Sequence, residues 1–391
     1  MRNIHRVLPL AALALATAAP QLRAQDDHSG PRARKVISIG NYPRVDGIRI
    51  NFRDRELDRV RGANITIWSP YDDYIGGTVT GAAIGLPITA AENIYGVSFG
   101  IFGVAAENDM TGINFGGVGV GAGGTMSGIS FGLVGAGAGN DVRGAAVGGI
   151  GVGAGGSIRG VMLGGVGAGA GGELRGLALG GVGAAAGGDV RGILAGGIGA
   201  GAGGDLRGAA IGGVGVGAGG SARGLLAGGI GVGAGGSVRG IAVGGVGVGA
   251  GGSVRGIAVG GIGVGAGGGI TGLSVGGVGV GSGGTLRWVS IGGVGVGAPR
   301  IEGLAVASMV GAETTQGVII APILFRTERG GQATGVNVSS VNAIRGFQQG
   351  VSIGLVNYAE RLRGIQLGAV NIVRDNPAPF KVLPLINFGR E

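Results

Sequence analysis

The residues with the clearest chemistry are arginines. Arg143, Arg159, Arg175, Arg191, Arg207, Arg223, Arg239 and Arg255 stand sixteen apart, and Arg287 resumes the series after Thr271. A guanidinium offers a flat fork of donors that fits phosphate and carboxylate oxygens two at a time, so a regular row of them suits a repeated anion. Two positions earlier come Asp141, Ser157, Glu173, Asp189, Asp205, Ser221, Ser237 and Ser253. Carboxylates can therefore neutralise the first half of the row, whereas from Ser221 to Arg255 they are missing. Arg207, Arg223, Arg239 and Arg255 are the candidate anion-binding residues, for lipopolysaccharide phosphate or an acidic glycan. The plainer reading of the same row is a solvated ridge that keeps sheets from aggregating.

Other chemistry lacks its parts. The only histidines are His5 and His28, and cysteine is absent, which removes the usual general base, the commonest metal ligands and any disulfide staple. No enzyme activity, cofactor, metal or nucleic-acid partner is expected. Gly119, Gly121 and Gly124 satisfy the G-x-G-x-x-G spacing of dinucleotide sites, but that site needs a helix after the glycines and none is suggested. A calcium-binding β-roll has a similar glycine cadence and uses aspartates as ligands; here the carboxylate position gives way to serine. Asp72-Asp73, between Tyr71 and Tyr74, form a candidate cation or glycan site, weighed against a solvated loop.

What must position the arginines is a repeat. Gly96 begins a series of glycines sixteen apart that runs to Gly272, and the next position in it is Trp288. Looser units flank it, marked by Gly47, Gly62 and Gly81 before and by Gly303, Gly317, Gly335, Gly350 and Gly364 after. The flanks also carry most of the prolines and aromatics, as the atypical ends of a stacked array should.

In the unit Gly240 to Arg255, Ile241 and Val243 alternate with small residues, as do Val246, Val248 and Ala250. Alternation of period two is strand behaviour. The Gly244-Gly245 pair shifts its phase and so predicts a corner, with a second at Gly251-Gly252. The fold class expected is all-β: a glycine-rich parallel β-solenoid with about sixteen residues per coil, capped ends and a thin core of valine, isoleucine and leucine. At a strand spacing of about 4.8 Å its regular part is about 58 Å long. An antiparallel transmembrane β-barrel of porin or transporter type remains the alternative. It would need one strand and a loop per sixteen residues and aromatic girdles, yet Gly144 to Arg287 holds no Phe, Tyr or Trp. A disordered, elastin-like chain is the third reading, opposed by the fixed register.

Met1, Arg2 and Arg6, the apolar run from Val7 to Ala19 and the close at Leu22-Arg23-Ala24 have the layout of a secretory signal peptide. The organisation expected is a signal over 1–24, a leader over 25–46, an N-terminal cap over 47–95, the regular array over 96–287 and C-terminal units with a cap over 288–391. The formal charge of +9 falls to about +6 without Arg2, Arg6 and Arg23, a mild bias towards acidic partners.

The stretch from Gly350 to Glu391 contains Gly350-Val-Ser-Ile-Gly-Leu-Val-Asn357, Gly364-Ile-Gln-Leu-Gly-Ala-Val-Asn371 and a Pro-rich close with Leu383-Pro-Leu-Ile-Asn387. It resembles a family of bacterial surface repeat proteins with tandem GLQLGLVN-like units and an LPLIN terminus. The resemblance implies envelope or surface placement and carries no activity or ligand; the outer membrane, the cell surface and the periplasm all stay open as destinations, and membrane association with them. The central array departs from it by placing glycine where these units place Asn357 and Asn371.

Overall fold

The computed structural model describes residues 36–70 and 75–389. The signal region, both histidines and Asp72-Asp73 lie outside them. Among the described residues there is no helix; the chain winds as a parallel β-solenoid of about 20 turns with about 16 residues per coil.

One coil shows how glycine spacing becomes geometry. Val238–Gly244 forms a seven-residue strand and Gly247–Ala250 a four-residue strand. Long strands stack on long strands and short on short: Val238 pairs with Val254, Ala242 with Ala258 and Val248 with Val264, all parallel. The corners fall at Gly245-Val246 and from Gly251 to Ser253. Gly240 marks a bend inside the long strand. Its φ is +115°, and a Cβ there would sit 2.3 Å from the carbonyl oxygen of Gly224 in the coil before. Only glycine fits without strain. The same positive φ recurs from Gly47 through Gly364, flanking units included, and Trp288 takes it once at 87°.

The core differs from the sequence reading. Val238, Ala242, Val248 and Ala250 are buried, whereas Ile241, Val243 and Val246 are 42%, 41% and 44% exposed. Strand parity is the reason. Arg239 faces solvent, so residues two and four further along the same strand face outward with it. A coil of sixteen residues encloses a narrow interior, and alanine fills the inward place between the two large aliphatics. The interior is therefore mostly alanine and valine, interspersed with larger side chains such as Met126, Ile158, Met162, Leu174, Leu194, Leu206 and Leu226.

The barrel alternative is not supported. Equivalent residues of neighbouring units lie side by side and run in the same direction, as in Arg223 on Arg239 and Gly224 on Gly240. One antiparallel pairing, Val356–Val373 with Val382–Gly389, comes at the C-terminal end. At the other end the stack starts with a three-residue strand, Ile37–Ile39, on Arg44–Asn51. A short edge offers little template for pairing with other chains.

Towards both ends the interior turns polar. Arg49 is fully buried and ion-paired with Asp54; it also donates to Asn64 Oδ1 at 2.9 Å and Asn41 Oδ1 at 3.2 Å. Asn51 and Asn64 donate to the same carboxylate at 2.6 and 3.0 Å. In the C-terminal coils Asn342 Nδ2 donates to Asn357 Oδ1 and Asn357 Nδ2 to Asn371 Oδ1, each at 2.7 Å, with all three residues at 0% exposure. Asn342, Asn357 and Asn371 thus form a ladder in which each amide has a side-chain partner one coil away, which offsets much of the cost of burying it.

Candidate anion-binding ladder

The solenoid builds the arginine row by register alone. Because the coils repeat without insertion, Arg143 lies on Arg159, and the pairing runs on through Arg175, Arg191, Arg207, Arg223, Arg239 and Arg255. Thr271 interrupts the column between Arg255 and Arg287. All these guanidinium-bearing residues are exposed. Like charges one strand apart repel by just under about 1 kcal/mol in water.

Relief is uneven along the column. Arg143 pairs with Asp141 at 3.3 Å, Arg175 with Glu173 at 2.8 Å and Arg207 with Asp205 at 3.2 Å. Among the described residues no salt bridge reaches Arg223, Arg239 or Arg255, and Arg287 is met by Glu302 at 2.8 Å from the next coil. Of the four candidates, the structure thus groups Arg223, Arg239 and Arg255 as successive charges outside any salt bridge among the described residues, as Arg159 and Arg191 also are; Asp205 still acts on Arg223 through space, and Arg207 stands at the paired edge.

The residues two positions before the arginines have a second task that the sequence reading missed. Asp141 Oδ1 accepts the backbone N–H of Ser157 at 2.9 Å, and Asp205 Oδ1 that of Ser221 at 2.8 Å. Ser221 Oγ accepts from Ser237, and Ser237 Oγ from Ser253, both at 3.1 Å. Each short side chain caps a corner amide of the following coil. This explains why Asp and Ser exchange freely at the position: both place an acceptor oxygen close to the backbone. The amide of Ser157 holds the Asp141 carboxyl below the usual carboxylate range; desolvation opposes it, and the Arg143 guanidinium adds to the lowering. Asp205 is lowered in the same way by the Ser221 amide and then by Arg207.

Beside the ladder lies an apolar surface. Ile241, Val243 and Val246 recur in kind through the coils, and near the N-terminal end the same columns stack Phe99, Phe115 and Phe131 with centroids 5.5 and 5.3 Å apart. Trp288, at 65% exposure, stands between Arg287 and Val289. The signal for this face was the arginine itself: residues at i and i+2 of a strand share a side.

No family model matches the chain, and no curated protein and no solved structure matches it either. The site is therefore judged on its own chemistry. Gly119 and Gly121 sit in the short strand Gly119–Ala122 and Gly124 at the corner after it, so these glycines precede no helix. Two surface depressions are open troughs, one bordered by Val147, Leu163, Leu179 and Ile211, the other by glycine and alanine from Gly167 to Gly215. Neither is lined by a titratable group. Among the described residues no group of His, Cys, Asp or Glu is placed to hold a metal ion.

Proposed function

We propose that the protein is a non-catalytic scaffold of the bacterial cell envelope whose arginine ladder binds a repeated anion. One observation carries the reading: Arg223, Arg239 and Arg255 occupy one position of successive parallel coils, exposed and outside any salt bridge among the described residues. Repulsion within such a row is lowered by any ligand that brings several anionic groups at once, such as the phosphates of an envelope polymer or the carboxylates of an acidic glycan. The signal-peptide layout of residues 1–24 and the resemblance of Gly350 to Glu391 to surface repeat proteins are what support the compartment.

The test is equilibrium binding of soluble polyphosphate to the full chain across a salt series. The parent binds with an affinity that falls as salt rises, and Arg223→Glu with Arg239→Glu abolishes that binding while the β circular-dichroism signal is kept. Unchanged affinity in the double variant overturns the assignment.

A further inference from the structure

The largest unexplained feature is not the arginine row but the surface next to it. In thirteen successive coils, from Val97 to Val289, the residue after the bend position, which is glycine except at Trp288, is aliphatic, and so or aromatic is the one two further on, with alanine at Ala145, Ala195, Ala209 and Ala227. A third column, from Phe102 to Val294, is Phe, Val or Ile in every coil. This outermost column is exposed throughout, from 37% at Val118 to 55% at Phe102 and Ile150. None of the three columns contains a charged residue. With coils about 4.8 Å apart and about 16 Å of backbone between the outer columns, the face covers on the order of 1,000 Å². Typical monomers expose apolar patches of only about 300–600 Å².

We propose that this face lies on an anionic lipid surface, with the aliphatic columns in the headgroup and upper acyl region and the arginine ladder on lipid phosphates along its edge. Three features select lipid over a second copy of the chain. The arginines run beside the face for most of its length, and a lipid surface supplies phosphates along the whole row, including past Asp205, where the carboxylates at the neighbouring position end. A continuous apolar strip edged by cations is what an interfacial membrane binder presents. Trp288 is also held at a positive φ that every equivalent position gives to glycine, and projects at the boundary between charge and aliphatic surface. Tryptophan favours that depth because its ring is apolar and its N–H polar, and backbone strain retained in an exposed residue marks a used position.

The proposal shares only its charge dependence with the polyanion reading above, so the two can fail separately. The full chain is floated with vesicles of equal parts phosphatidylcholine and phosphatidylglycerol, and with phosphatidylcholine alone. Uptake is expected on the mixed vesicles. Ile198→Ser, Ile230→Ser and Ile262→Ser together should weaken it about tenfold or more, while polyphosphate binding stays as in the parent. Arg223→Gln with Arg239→Gln should remove the preference for the anionic vesicles. In a Trp68→Phe background, Trp288 fluorescence should shift to the blue on vesicle addition.

Polyphosphate binding without vesicle uptake overturns the lipid assignment and leaves the polyanion reading standing. Vesicle uptake without polyphosphate binding does the reverse. Triple-serine protein that floats as well as the parent removes the apolar face from the interaction. A dimer in sedimentation that the triple variant dissociates, with no uptake by vesicles, makes the second copy the occupant instead.

Discussion

The central array and the two ends of the solenoid share one backbone path but keep it together differently. Around Gly240 the interior is Ala242 and Val248, and polar side chains are confined to a corner. Near Arg49 and Asn357 the interior is a hydrogen-bonded polar network. An alanine core tolerates any neighbour with an alanine core, so it fixes the coil's width but not which coil lies next. An asparagine ladder demands its partner at a set height, and an arginine paired with Asp54 demands one place only. The array thus relies on steric limits in the backbone, and the ends on polar specificity.

That contrast is sharpest under substitution. Gly240→Val places a branched side chain at φ +115° and a Cβ 2.3 Å from the Gly224 carbonyl oxygen. It should cost about 4–5 kcal/mol. Because each coil touches only its neighbours, the loss should show in hydrogen exchange as opening of the coils around Gly240, with the Asn357 region still protected. Global loss of protection would mean that the stack unfolds as one unit and that the two regions are not separable.

Arg49→Met tests the N-terminal end. It leaves the Asp54 carboxylate buried without its cation, and should destabilise that end by about 3 kcal/mol or more in denaturant titration. Adding Asp54→Leu removes the orphaned charge and should restore much of the loss. If the single variant is as stable as the parent, the buried pair does not hold the cap.

The architecture was legible because glycine spacing is a backbone property. Each Gly of the series from Gly47 to Gly364 has a steric or conformational duty, so the period could be read without knowing any contact. The strand faces were legible only in part. Ile241 and Val243 were placed inside by their hydrophobicity, although Arg239 on the same strand already set the parity that turns them out. Hydrophobicity is usually a safe guide to burial; it misleads where aliphatic residues fall on the outward side of a strand whose parity a charged residue has already set. The arginine column followed from register, but the capping bonds of Asp141 and Ser221 did not, because a side chain that reaches the next coil's amide leaves no periodic trace beyond the Asp–Ser exchange. The pairing of Arg49 with Asp54 has no repeat to announce it.

At the C-terminal end, Asn357→Ala breaks the amide ladder in the middle. Asn342 Nδ2 loses its 2.7 Å acceptor, and Asn371 Oδ1 loses its 2.7 Å donor. The expected cost is about 2 kcal/mol, read as a lower midpoint of local unfolding. Ser237→Ala in the array removes only the 3.1 Å bond to the Ser253 amide and should cost about 1 kcal/mol. If these two losses are equal, the ends hold no more tightly than the corners of the array, and the distinction between the regions is lost.

The smallest effect divides the array itself. Its corner caps titrate where they are Asp141 and Asp205, and not where they are Ser221 and Ser237. Both aspartates are lowered chiefly by the amide they accept, from Ser157 and from Ser221. A carboxyl whose folded pKa lies below its unfolded value, about 3.9, stabilises fully above that unfolded value and loses its contribution as pH falls through the lowered folded one. Hydrogen-exchange protection factors, corrected for the intrinsic rate at each pH, should therefore fall for the Ser157 and Ser221 amides between about pH 4 and pH 2. Those of Ser237 and Ser253, whose acceptors are hydroxyls, should hold over the same range. A parallel fall at all four amides would trace to general acid expansion of the stack and would remove the carboxylates as the cause; a fall at the first pair alone locates the acid sensitivity in two side chains that differ from their serine equivalents by ionisation.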